Sequence, residues 1–154
     1  MEFIKRNTDY ALRALVYLAQ KESGSTAFVR TIAEEENVSK DFLRKILQIL
    51  AEVGLVESHR GPKGGFSLAK DPDKITVLEV MEALQGPVAI NRCFLGKDSC
   101  PNYDQCELKS RLIGIQETIL NFLNGITLAQ LLSAEEAKLK NSLTMEESEV
   151  VGDE

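Results

Sequence analysis

Apolar residues along this chain recur at intervals that divide it into short helices, one hairpin and one long helix. Tyr10, Ala14, Leu15 and Leu18 share a helical face, with Asn7 or Thr8 available as N-cap and Gly24 beyond the end. A short second helix is expected around Arg30 to Glu36. After the turn ENVS, Ser39 is placed to cap a third helix from Lys40 to about Val53, which Gly54 would stop. Its buried stripe is predicted to be Phe42, Leu43, Ile46, Ile49, Leu50 and Val53. Three helices with short connections are typical of a helix-turn-helix unit.

The pattern then shortens. LVESHR predicts a strand, GPKGG a turn and FSLA the returning strand, so a hairpin wing follows the third helix. In TVLEVMEALQG, Thr76 and Glu79 form a capping box, Val77, Val80, Met81 and Leu84 face one way, and Gly86 ends the helix. Leu108, Leu112, Ile115, Ile119 and Phe122 follow at spacings of four, three, four and three, a coiled-coil-like seam. A single domain could bury that seam as one more core helix. Pairing with a second copy is the preferred assignment, because helix-turn-helix proteins pair to match two half-sites.

The expected fold class is mostly α with a small β-hairpin wing: a winged helix-turn-helix followed by a long C-terminal dimerisation helix. The expected divisions are a DNA-binding unit over 1–86, a cysteine loop over 87–107, and the dimerisation helix with a short C-terminal helix over 108–132. An acidic, disordered tail is expected over 133–154. There is no internal repeat, no apolar run of membrane-spanning length and no secretory signal in MEFIKRNTDY, so a cytoplasmic protein without a membrane partner is expected.

A net charge of −6 argues against nucleic acid until its distribution is considered. Residues 1–70 hold 11 Lys and Arg against 9 Asp and Glu, whereas residues 71–154 hold 7 against 15. Basic groups therefore concentrate where the helix-turn-helix is predicted. Lys40, Arg44 and Lys45 fall opposite the apolar stripe near the start of the third helix, where a recognition helix meets base edges. Arg44 is suited to a guanine, Lys40 and Lys45 to phosphates. On the wing, Arg60 beside the glycine-rich turn can enter a narrow minor groove, with Lys63 at the tip. His59 is either a phosphate contact or a strand residue. The expected partner is a double-stranded DNA operator.

All three cysteines, Cys93, Cys100 and Cys106, lie in one polar loop. Zinc sites and redox pairs usually use closer spacings. Cysteines this far apart, on a chain bent by Gly96 and Pro101, can wrap something larger than one ion, and an iron–sulfur cluster suits three converging thiolates. No histidine–carboxylate dyad, phosphate loop or nucleotide fingerprint supports catalysis, so an enzyme is not expected.

Taken together, TDYALRALVYLA, FLRKILQILAEVGLVESHRGPKGGFSLAKD, the three-cysteine loop and FLNGITLAQLL resemble the IscR/NsrR-type family of winged-helix iron–sulfur regulators, over about residues 1–132. The resemblance implies a homodimer whose crossed C-terminal helices hold the cluster loops near the partner's N-terminal region. It also implies Cys93, Cys100 and Cys106 as ligands of a 4Fe–4S or 2Fe–2S cluster. IscR-like members carry a histidine three residues after the last cysteine; here that position is Lys109. NsrR-like members use an aspartate in the segment TDYALR, occupied here by Asp9, which would act across the dimer. Asp9 also suits a helix's first turn without any metal, and Glu107, water or a small thiol are the other candidates. The function expected is a repressor whose operator affinity follows a cluster sensing nitric oxide, redox state or iron–sulfur supply. A zinc- or thiol-based redox regulator is the alternative, and an electron carrier or enzyme the more distant one.

Overall fold

The computed structural model describes residues 3–134. Helices α1 (Arg6–Ala19), α2 (Val29–Glu35) and α3 (Lys40–Glu52) precede strands β1 (Val56–His59) and β2 (Gly65–Leu68), then helices α4 (Val77–Gln85) and α5 (Glu107–Gly125). A final helical stretch begins at residue 128 and continues to 134. The tail expected over 133–154 lies, from 135 onward, outside the described residues. The architecture is mostly helical with a two-stranded antiparallel hairpin, as the patterning predicts.

The main core gathers Leu15 from α1, Ile32 from α2, Leu43, Leu47 and Leu50 from α3, Val56 from β1 and Val80 from α4. Leu128, from the final stretch, joins them, because Leu128 N donates to Ile75 O and Val77 N donates to Ile126 O, each at 2.9 Å. The segment that follows α5 is thereby stitched to the start of α4. A second cluster, Val77, Met81, Val88 and Leu123, seats α5 on α4.

Local signals hold where they are local. Ser39 Oγ accepts from Phe42 N at 3.2 Å, and the capping box of Thr76 and Glu79 is complete. Gly54 takes φ +73 where α3 ends, a backbone region that disfavours side chains. The hairpin pairs Val56 with Leu68 and His59 with Gly65.

Three expectations need correction. Helix α1 starts at Arg6 with Lys5 as N-cap, not at Asn7 or Thr8. Those side chains are used elsewhere: Thr8 is buried, with Oγ1 2.9 Å from Gln85 Oε1, and Asn7 Nδ2 donates to Leu84 O at 3.4 Å. Gln85 Oε1 also accepts from Lys5 N at 3.2 Å, and its Nε2 donates to Phe3 O at 3.0 Å. The end of α4 therefore grips the start of the chain. Second, α2 spans Val29–Glu35, one residue earlier than expected. Third, Ile49 and Val53 are exposed while Leu47 is fully buried. The buried stripe of α3 is set by α1, α2 and α4 packing around it, and it turns away from Ile49 and Val53.

Candidate functional site

The first two turns of α3, capped by Ser39, present Lys40, Arg44 and Lys45, all exposed. Arg44 lies 3.7 Å from Asp41, a loose solvent-exposed pair that competes weakly for the guanidinium. The hairpin stands beside these turns and is fastened to the segment before α2. Ala27 N donates to Phe66 O and Phe66 N to Ala27 O, both at 2.9 Å, while Thr26 Oγ1 donates to Lys63 O at 3.1 Å. Gly65 is required there. Its φ is +135 and a Cβ would sit 2.3 Å from Ala27 O, so any side chain would push the wing off its anchor.

Between these elements runs a groove of about 400 Å³, lined by Lys40 and Arg44 from α3, by Ser58, His59 and Gly65 from the hairpin, and by Phe28 and Arg30 at the start of α2. Lys40, Arg44 and His59, predicted separately, are thus brought together. Lys45, Arg60 and Lys63 are exposed but line no part of the groove; Arg60 and Lys63 belong to the wing tip. His59 Nε2 lies 2.8 Å from Ser67 Oγ, so one ring nitrogen is engaged inside the hairpin. Arg30 pairs with Glu34 at 2.8 Å, and that hydrogen bond, with the carboxylate's charge, raises its pKa. Phe28 and Arg30 were missed by the sequence reading. The available signal was an aromatic at a helix start, where Ser, Thr, Asp or Asn is usual.

The thiol loop is built from two tight turns. Cys93 is buried in the 3₁₀ turn Arg92–Leu95, Cys100 is half-buried after the turn Lys97–Ser99, and Cys106 is the half-buried N-cap of α5. Cys106 Sγ accepts from Lys109 N at 3.4 Å, so the sulfur itself caps the first turn of α5. Lys109 Nζ rests 3.1 Å from the centre of the Tyr103 ring and donates to Tyr103 O at 3.4 Å. None of the three cysteines is in a disulfide. Among the described residues no three His, Cys, Asp or Glu side chains lie close enough together to hold a metal ion. A single chain therefore carries the sulfur donors without assembling them, and Asp9 is not gathered with them. Asp9 pairs with Arg13 at 3.2 Å, and Arg13 reaches Glu36 at 3.9 Å.

One buried side chain ties this loop to α5. Gln116 Nε2 donates to Val88 O at 2.8 Å and its Oε1 accepts from Ile90 N at 2.9 Å. Apart from Gln116 and Leu123, α5 buries no residue fully. Of the predicted seam, Leu108 is 59%, Ile115 53% and Phe122 68% exposed, with Leu112 and Ile119 half-buried.

Comparison with known proteins supplies a family and a shared fold. Residues 4–134 match the Rrf2 family model, described as an iron-dependent transcriptional regulator. The chain is 34% identical to the HTH-type transcriptional regulator NsrR of Bacillus subtilis, over 86% of this chain and 92% of that protein. It is 34% identical to the regulator IscR of Klebsiella pneumoniae, over 82% and 77%. The solved structure of CymR, the global cysteine regulator of B. subtilis, superposes with a TM-score of 0.71 at 28% identity, covering 87% of this chain and 98% of that one. These are transcriptional regulators and not enzymes.

Proposed function

The chain belongs to the Rrf2 family of transcriptional regulators, and on that premise we propose a homodimeric, DNA-binding repressor whose operator affinity is set by an iron–sulfur cluster. The observation carrying the DNA reading is the groove in which the capped start of α3 meets the anchored hairpin, with Lys40, Arg44 and His59 around it. A recognition helix presents its first residues to base edges while a wing reaches the neighbouring backbone. In this reading Arg44 addresses a guanine, Lys40, Lys45 and Lys63 meet phosphates, and Arg60 enters the minor groove. Homodimerisation is supported by the face of Leu108, Ile115 and Phe122, which one chain leaves in water.

The cluster rests on donor chemistry. Three unpaired thiols lie within residues 93–106, one of them at a helix N-terminus. Cys93, Cys100 and Cys106 would hold it, and Asp9 from the second copy would complete the set on leaving Arg13. When bound, the group supplies an iron centre that reacts with nitric oxide or oxygen. The protein's part is mechanical. Gathering the three sulfurs draws on the segment that Gln116 ties to α5, and so couples the loop to the helix on which the two recognition helices would be spaced.

Anaerobic reconstitution with iron and sulfide, followed by absorption spectroscopy and by titration against a duplex selected from a random-sequence library, tests this. The wild type should gain a visible chromophore and a change in DNA affinity; Cys→Ala at 93, 100 or 106 should lose both. Equal affinity with and without iron sinks the cluster reading. A second reading, thiol-based redox control, is favoured by the unassembled state of the three free cysteines. A colourless protein whose DNA affinity follows reversible thiol oxidation would establish it instead.

A further inference from the structure

Phe28 occupies a position whose chemistry neither the fold nor the predicted DNA contacts explain. It is the N-cap of α2, with φ −71 and ψ 140, and it makes no side-chain capping bond. Ser, Thr, Asp or Asn at that position would satisfy an orphan amide of the first turn, which an aromatic cannot do. Nor does the ring serve the core, since Phe28 is 51% exposed while its neighbours Ala27 and Val29 are buried. The ring forgoes both of the uses its position offers.

Its backbone is firmly held. The paired hydrogen bonds between Ala27 and Phe66, and the close approach that only glycine permits at Gly65, fix residue 28 against the root of the wing. From there Phe28 forms one wall of the groove whose other walls include Lys40, Arg44, Arg30 and His59. A fixed, half-exposed aromatic among cations calls for a ligand that is anionic along its edges and apolar at set points. A DNA duplex has that character. In the major groove, the apolar feature among the base edges is the C5 methyl of thymine.

We infer that Phe28 is a specificity-determining residue that receives a thymine methyl group beside the bases read by the start of α3. This rests on the DNA-binding reading above and adds a contact that electrostatics cannot supply. A methyl contact is salt-independent, whereas each lost phosphate contact lowers the salt slope of binding.

The test uses the full-length protein and a duplex that it selects from a random-sequence library. Phe28→Ser installs a favoured N-cap residue, so folding is not at risk, and a melting temperature at or above the wild type's checks that. Expected are an affinity loss on the order of tenfold, from the apolar area withdrawn, and an unchanged slope of log affinity against log salt. Each thymine of the selected site is then replaced in turn by deoxyuridine, which deletes only the methyl. At one thymine per half-site the wild type should lose about fourfold, and Phe28→Ser should lose nothing further.

Wild-type affinity in Phe28→Ser, a reduced salt slope, deoxyuridine sensitivity that persists in the variant, or a selected half-site lacking thymine would each overturn the inference. Failure to select any duplex would instead overturn the DNA-binding reading itself, so the two failures are distinct.

Discussion

The helix-turn-helix with its hairpin and the segment from the thiol loop through α5 solve the problem of burial in opposite ways. In the first, the apolar faces of α1 to α4 close on one another, leaving Leu15, Ile32, Leu43, Leu47 and Leu50 essentially inaccessible. In the second, a long helix lies on α4 through Leu123 and is tied by Gln116 to Val88 and Ile90, while Leu108, Ile115 and Phe122 remain in water. The former is a finished platform that holds Lys40 and Arg44 beside the hairpin, along one shared groove. The latter is built of parts whose partners, a second subunit and a ligand for three sulfurs on the proposed reading, come from outside the chain. Regulation is best placed in such a segment, because a ligand shifts most readily what the fold has not already secured.

That contrast can be broken by substitution. Leu47→Ala, in the finished half, should cost about 2–5 kcal/mol of stability, the range for a buried leucine leaving a cavity. Urea unfolding should show a lower midpoint, and a loss below about 1 kcal/mol would mean the platform is looser than its burial implies. Gln116→Leu should cost less, about 1–3 kcal/mol, by leaving Val88 O and Ile90 N without their bonds. Hydrogen exchange should accelerate at Ile90 and not in α3; faster exchange in α3 would show that the two halves melt as one. Phe122→Ser should have the smallest effect on the fold of one chain, within about 0.5 kcal/mol for an exposed position. If the proposed homodimer forms through α5, the substitution should nonetheless halve the mass measured by light scattering, and an unchanged mass would remove α5 from that proposed interface.

Much of the platform was legible in the sequence, since its determinants are short-range. Ser39 caps the helix three residues before the amide it satisfies, and Thr76 and Glu79 complete a box within one turn. GPKGG marks the hairpin because a tight turn demands those residues. The misreadings have a common cause in distant neighbours. Nothing near Thr8 in sequence reveals that its hydroxyl is taken by Gln85, 77 residues away. Helical periodicity placed Ile49 and Val53 inside because it finds an apolar face without saying which part of it another helix will cover. Among the candidate site residues, Lys40, Arg44 and His59 could be named singly, but their sharing of a groove is tertiary. Phe28 went unnoticed for the same reason, as an aromatic reads as core until its exposure is known. The cysteines were identifiable by type and spacing. Their failure to converge in one chain was not, because convergence depends on how two 3₁₀ turns are stacked.

Gln85 has a practical consequence for anyone handling the molecule. Its amide clasps Phe3 O, Lys5 N and Thr8 Oγ1 one residue before Gly86, where the chain departs for the thiol loop. An affinity tag fused ahead of residue 3 would load that clasp and, through it, the point where the chain leaves α4 for the three cysteines.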